Sequence, residues 1–154
     1  MDSKYFIKNL NLEKHIEGGY FKETYVCDEQ IGNKSISTSI YFLLEHGDAS
    51  KFHRLKSDEL WYYHCGEPLS IYVIDENRQL TIHKLGLNIE NGEKPQVLVP
   101  KNSIFGSIVE SGKGFSLVGC MVSPGFDYKE FKLFSREELL KEYPQYEYAI
   151  LKLT

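Results

Sequence analysis

Apolar positions in this chain recur mostly in short runs of period two, cut at regular intervals by glycine, proline and polar turns. That is the periodicity of half-buried strands. The most apolar of the early runs, STSIYFLL at residues 37–44, predicts a central strand. The stretch that follows, GDASKFHRLKSDELWYYHCG at 47–66, reads as two strands around a polar KSD turn. Side chains alternate across a strand, so His53 and Leu55 share one face of the first, and Glu59, Trp61 and Tyr63 share one face of the second. Beyond the Gly66-Glu67-Pro68 break, residues 70–74 and LTIHKLG form a hairpin around DENRQ, NIENGEK is a loop, and residues 96–99 form a strand ended by Pro100. SIFGSIVE and GFSLVGCMVSPGF complete an all-β set, the rhythm of a sandwich or barrel.

Helical signals are confined to the ends. Asp2 or Ser3 can cap a short helix running to Leu10, with Phe6 and Leu10 on one face, packed outside the barrel. Near the C-terminus, Ser135 and Glu138 form a capping box, Phe134 and Leu139 a hydrophobic staple, and Pro144 a stop after Tyr143. This predicts a capping helix at about 136–142. The last ten residues, QYEYAILKLT, fit a helical turn and a strand equally well. In HIEGGYFKETY, at 15–25, two glycines precede a strand that alternates Tyr20, Lys22 and Thr24 against Phe21, Glu23 and Tyr25; they predict a bend or a close backbone approach. Residues 1–154 therefore read as one domain, with a barrel core at about 19–134.

Composition supports that picture. The 42% apolar and 14% aromatic content of the 154 residues suits a single core that needs no disulfide or structural metal. A net charge of −4, without a basic patch carrying interleaved aromatics, argues against nucleic acid as a partner. No apolar run approaches the roughly 18–20 residues of a membrane span, and the N-terminus lacks the pattern of a secretory signal. Cys27, Cys65 and Cys120 are odd in number and widely spaced, which suits a reducing cytoplasm and buried thiols rather than a disulfide or zinc framework.

The candidate chemistry lies at His53 and Glu59. If both faces point inward, an imidazole and a carboxylate meet inside the barrel, where an unsatisfied carboxylate is costly. A hydrogen-bonded pair that only fixes the barrel mouth is the purely structural alternative. Trp61, Tyr63 and Tyr41 are candidates for an aromatic lining, and Arg54 and Lys56 for anion attraction at the mouth. His64 has the opposite parity to Glu59 and should face away, while His15 and His83 read as surface residues and His46 as a turn residue.

Gly47, His53, Glu59 and Gly66 stand in the order and spacing of the first motif of the cupin superfamily, which this stretch resembles. Leu55 occupies the second histidine of that motif. In the later motif Pro100 matches, Asn102 stands for a glycine, and Phe105 takes the place of the third histidine. HIEGGYFKETY, the spacing of Gln96 to the VP pair, and VSPGFD at 122–127 resemble the small cupin-5 type proteins. The resemblance implies a double-stranded β-helix, the cupin jelly roll, with a small-molecule pocket between its sheets and a homodimer as the assembly. With two of the four usual metal ligands, His53 and Glu59, it implies weak divalent binding and no required cofactor.

The function expected on this basis is a metal-independent isomerase or epimerase acting on a sugar-type or carbonyl substrate. In it His53 is the base, Glu59 orients it and Tyr63 returns a proton, while Tyr41, Arg54, Trp61, Gln96 and Phe105 contact the substrate. The alternatives are a non-catalytic small-molecule binding module and a weak divalent-metal cupin enzyme.

Overall fold

A computed structural model describes residues 1–154. In chain order its elements begin with α1 (Ser3–Asn9), β1 (Glu13–Lys14), β2 (Tyr20–Val26), the hairpin β3 (Gln30–Ile31) and β4 (Lys34–Ser35), and β5 (Thr38–Glu45). There follow β6 (Ala49–Arg54), β7 (Asp58–Gly66), β8 (Leu69–Ile74), β9 (Leu80–Leu85), β10 (Glu93–Lys94) and β11 (Gln96–Val99). β12 (Ile104–Ile108), β13 (Phe115–Ser123), β14 (Lys132–Leu133), α2 (Arg136–Glu142) and α3 (Glu147–Lys152) complete the chain.

The strands form two six-stranded sheets, ordered β1-β2-β5-β13-β7-β11 and β10-β9-β8-β12-β6-β14. All neighbours in them are antiparallel except β10 with β9. This is the predicted all-β jelly roll. It follows from alternation: Phe42 and Leu44 of β5, Trp61 of β7, Ile71 and Val73 of β8, and Phe105 of β12 all enter the core between the sheets. Several of their strand neighbours face outward and are covered by the helices. α1 brings Phe6 and Ile7 onto Leu43 and Leu117, behind the first sheet. α2 and α3 bury Leu139, Ala149, Ile150 and Leu153 on Phe52, Tyr72 and Ile74, behind the second. With a helix layer on one side and the second core on the other, every residue of β8 is buried.

Both terminal helices begin as their caps predict: the Asp2 carboxylate accepts from the Tyr5 N–H at 2.9 Å, and the Ser135–Glu138 capping box is complete. The final residues resolve into α3, because a helix places Ala149 and Ile150 on the apolar outer face of the second sheet. Its last turn also brings the Leu153 carbonyl to the Phe52 N–H at 2.9 Å. Asn102 adopts φ of 66°, the left-handed conformation that the motif's glycine would supply and that asparagine tolerates. The bulge in the β13–β7 pairing falls between Leu117 and Val118. Across it the side-chain parity of β7 flips, so Tyr63 packs towards the inter-sheet core and Cys65 towards α1. No helix is long and apolar enough to cross a membrane.

Candidate functional site

Between the sheets lies a cavity of about 230 Å³. Strand alternation delivers His53 to it from β6, Glu59 from β7, and Phe21 and Glu23 from β2, while Leu55 lines it just beyond β6. Phe126 and Tyr128 come from the segment after β13, which is tied down where the Lys34 ammonium meets Glu130 at 2.5 Å and donates to the Ser57 hydroxyl at 3.1 Å.

A further carboxylate arrives from the turn between β1 and β2. The His15 N–H donates to the Gly19 carbonyl and the Gly18 N–H to the His15 carbonyl, folding the turn back on itself. Gly18 and Gly19 have φ of 110° and 74°; a Cβ on the first would overlap the Ala49 carbonyl, and on the second the Phe42 ring. That close approach, together with the Lys51 N–H donating to the Glu17 carbonyl at 2.8 Å, drives the Glu17 side chain between the sheets.

Glu17 and His53 form the centre of the site. The His53 Nε2 lies 2.9 Å from the Glu17 carboxylate, and its Nδ1 lies 2.7 Å from the Lys51 carbonyl, so both ring nitrogens are engaged. The imidazole sits between the rings of Phe105 and Phe131, with centroids at 4.1 and 5.4 Å. Burial acts against both charges, but the partners outweigh it. The charge and hydrogen bond of Glu17, reinforced by Glu59 and the Lys51 carbonyl, raise the His53 pKa above its ordinary value. The charge and hydrogen bond of His53 hold the Glu17 carboxyl below the usual carboxylate range. The pair is thus an imidazolium and a carboxylate. Glu17 Oε1, the oxygen turned from His53, stands 3.8 Å from His15 Nδ1, beyond hydrogen-bond reach.

Glu59 behaves in the opposite way. Burial dominates and pushes its pKa up to about 8, with the Glu17 charge adding to the rise and His53 and the Trp61 indole opposing it. Despite that proximity, neither Glu59 Oε2 nor Trp61 Nε1 makes a hydrogen bond. At neutral pH the two buried carboxyl groups of the cavity are therefore in opposite states, Glu17 ionised and Glu59 protonated. His15, expected on the surface, is instead buried on Phe21 (ring centroids 4.8 Å apart); burial lowers its pKa and its Nδ1 accepts the Glu17 N–H at 3.1 Å, leaving a neutral ring. Cys120 also lines the cavity, and burial raises its thiol pKa well above normal, which makes it an inert wall.

Of the residues expected at the site, His53 and Glu59 reach the cavity. The expectation that Glu59 orients His53 gives way to Glu17, which makes the direct contact. The Tyr63 hydroxyl donates to the Gly66 carbonyl at 2.6 Å and does not line the cavity. Tyr41 is on the outer face of β5, edge-on to His64. Arg54 lies over the Phe134 ring at 5.3 Å, outside the second sheet. Gln96 is exposed on the edge strand β11. Trp61 is core, edge-on to Phe42 and Phe105, and Phe105 supports the His53 ring from below the cavity surface. The signal for Glu17 was the adjacent glycine pair, which marked a close approach without saying what it delivered.

The donor set does not fit a divalent ion. Leu55 and Phe105 stand where two imidazoles would be, His53 has no free nitrogen, and no group of three His, Cys, Asp or Glu side chains is arranged to hold a metal.

Comparison with known proteins places this geometry in a family. The chain is similar over its whole length to protein SO0799 from Shewanella oneidensis, at 48% identity, 98% coverage of that chain and a TM-score of 0.96. It is likewise similar to a hypothetical protein from Leishmania major, at 37% identity, with all of this chain and 99% of that one covered and a TM-score of 0.93. The uncharacterised protein YML079W of Saccharomyces cerevisiae is 31% identical over 88% of this chain and 76% of its own length. Residues 4–134 match the family model described as Cupin superfamily (DUF985), and the chain belongs to that family, Cupin_5.

Proposed function

We propose that the protein is a metal-independent isomerase or epimerase that moves a proton beside the carbonyl of a small substrate. The observation that carries this is the pair of buried carboxyl groups, Glu17 and Glu59, held in opposite protonation states on one cavity. Two such groups whose environments drive their pKa values apart are matched as base and acid. The expected role of His53 as the proton acceptor is revised, because both of its nitrogens are committed within the protein. Glu17 Oε1 takes the proton from the carbon next to the carbonyl, and His53 keeps Glu17 ionised and oriented. As that C–H bond breaks, its electron pair moves into the carbonyl group and the oxygen takes the Glu59 proton, giving an enol. Return of a proton to carbon, on the other face or at the former carbonyl carbon, completes epimerisation or isomerisation.

Full-length protein in deuterium oxide should therefore exchange the α-hydrogens of small hydroxyaldehydes and hydroxyketones, read by NMR. Glu17→Gln and Glu59→Gln should each lower the exchange rate at least about 100-fold with the circular-dichroism spectrum retained. Binding of the same compounds without any exchange would favour the non-catalytic binding module, a reading supported by the fact that the charges of the Glu17–His53 pair already satisfy one another.

The homodimer has its own support. β1 covers only Tyr20 and Phe21 of β2, so the edge of β2 beyond them is unpaired and carries exposed Tyr25 and Val26. Light scattering should give about twice the 17.9 kDa chain mass at micromolar concentration; a mass near the single-chain value would refute the pairing.

A further inference from the structure

Charge at the cavity restricts what it can take. Glu17, Glu23 and Glu59 line it, and no lysine or arginine does. A polar groove continues from its mouth, sharing Glu23, Thr38 and Phe126 and adding Asp28 and Asp127. Lys34 is the one lysine or arginine of that groove, and its ammonium is already held by Glu130 and Ser57. Inside, the His53 charge is spent on Glu17 at 2.9 Å, and the His15 Nδ1 is occupied by a backbone N–H. An anion entering this space would lose its water, meet carboxylates, and find no uncommitted cation.

The unsatisfied groups point to a different ligand. Glu59 is 7% exposed and lines the cavity, and its Oε2 is buried with no hydrogen-bond partner. A protonated carboxyl there offers a hydrogen bond to a neutral carbonyl oxygen, whereas a carboxylate or phosphate would be paired with the ionised Glu17 at close range.

We propose that the cavity takes a small, uncharged hydroxycarbonyl compound and excludes its phosphorylated and carboxylated counterparts, sugar nucleotides among them. This rests on the proton-transfer reading for the reaction, but the selection itself is a matter of binding. The groove is acidic, so it repels an anionic tail as well as an anionic reacting end.

The test compares dihydroxyacetone with dihydroxyacetone phosphate, and glyceraldehyde with its 3-phosphate, on the full-length protein. Two readouts are taken: α-hydrogen exchange in deuterium oxide, and saturation-transfer NMR, which sees binding whether or not turnover occurs. The neutral member of each pair should bind and exchange about tenfold or more better than the phosphate. In Asp28→Asn/Asp127→Asn the gap should narrow, because the repulsion at the mouth is reduced. Preferential binding of the neutral compounds without exchange would uphold this selection while removing the isomerase reading. Equal or better binding of the phosphates, a gap unchanged in the double variant, or no binding of any neutral probe would overturn it.

Discussion

Replacing His53 with leucine should cost about 3–5 kcal/mol of stability at pH 7.5, measured by urea unfolding, and much less at pH 5. The loss is not mainly that of an attraction. It arises because Glu17, at 7% exposure and with no other cation in contact, would be left as a buried charge without its partner. The carboxyl would respond by holding a proton to higher pH, and so the penalty should fade as the solution supplies one. Glu17→Leu combined with His53→Leu should lose much less than the sum of the single changes, since the two desolvation costs vanish together. A His53→Leu variant as stable as the parent at pH 7.5, or equally weakened at both pH values, would show that Glu17 and His53 are not a charged pair. Loss of α-hydrogen exchange should accompany both single changes: Glu17→Leu removes the base, and in His53→Leu an unpaired Glu17 that carries a proton is no base.

Glu59 should produce the opposite signature. Its folded-state pKa, about 8, lies above the ordinary 4.5. Between those values the unfolded chain has released a proton that the folded protein still holds, so the unfolded state binds fewer protons and stability falls as pH rises through this window. Above about 8 both states are ionised and the loss levels off. The full effect is on the order of 5 kcal/mol, since each tenfold change in proton affinity between the two states corresponds to about 1.4 kcal/mol. Glu59→Gln keeps the shape and has no proton to release. The variant should therefore match the parent near pH 4.5 and exceed it by pH 8, with the difference growing steadily between. Thermal melts at half-unit pH steps give the curve. A gap that stays constant with pH would mean that Glu59 is ionised in the folded protein at neutral pH, and it would remove the acid from the proposed reaction.

These two experiments address residues that were unequally visible in the sequence. Strand periodicity is a local property, because a backbone in extended conformation must alternate its side chains. It therefore placed His53, Leu55 and Glu59 on inward faces, turned His64 outward, and marked the capped helices at both ends. The same parity turns Arg54 away from His53 and Tyr41 away from Ile40, and the structure puts both outside the barrel. The motif order of Gly47, His53, Glu59 and Gly66 marked the cupin family, and Leu55 and Phe105 in the histidine positions already argued against the usual metal set.

What the tertiary structure alone decided was the partner of His53. Glu17 and His15 lie in a turn, where no period says which way a side chain points. Their burial depends on Gly18 and Gly19 packing onto Ala49 and Phe42, contacts with strands far away along the chain. The opposite protonation of Glu17 and Glu59 was equally hidden, for it comes from the difference between a buried carboxyl held by an imidazolium and one with a buried oxygen that has no hydrogen-bond partner. The last helix had the same origin: QYEYAILKLT carries no decisive period, and the apolar back of the second sheet, Phe52 with Tyr72 and Ile74, selected the conformation that buries Ala149, Ile150 and Leu153. Alternation and capping are set by neighbours in sequence, whereas charge state and turn burial are set by neighbours in space.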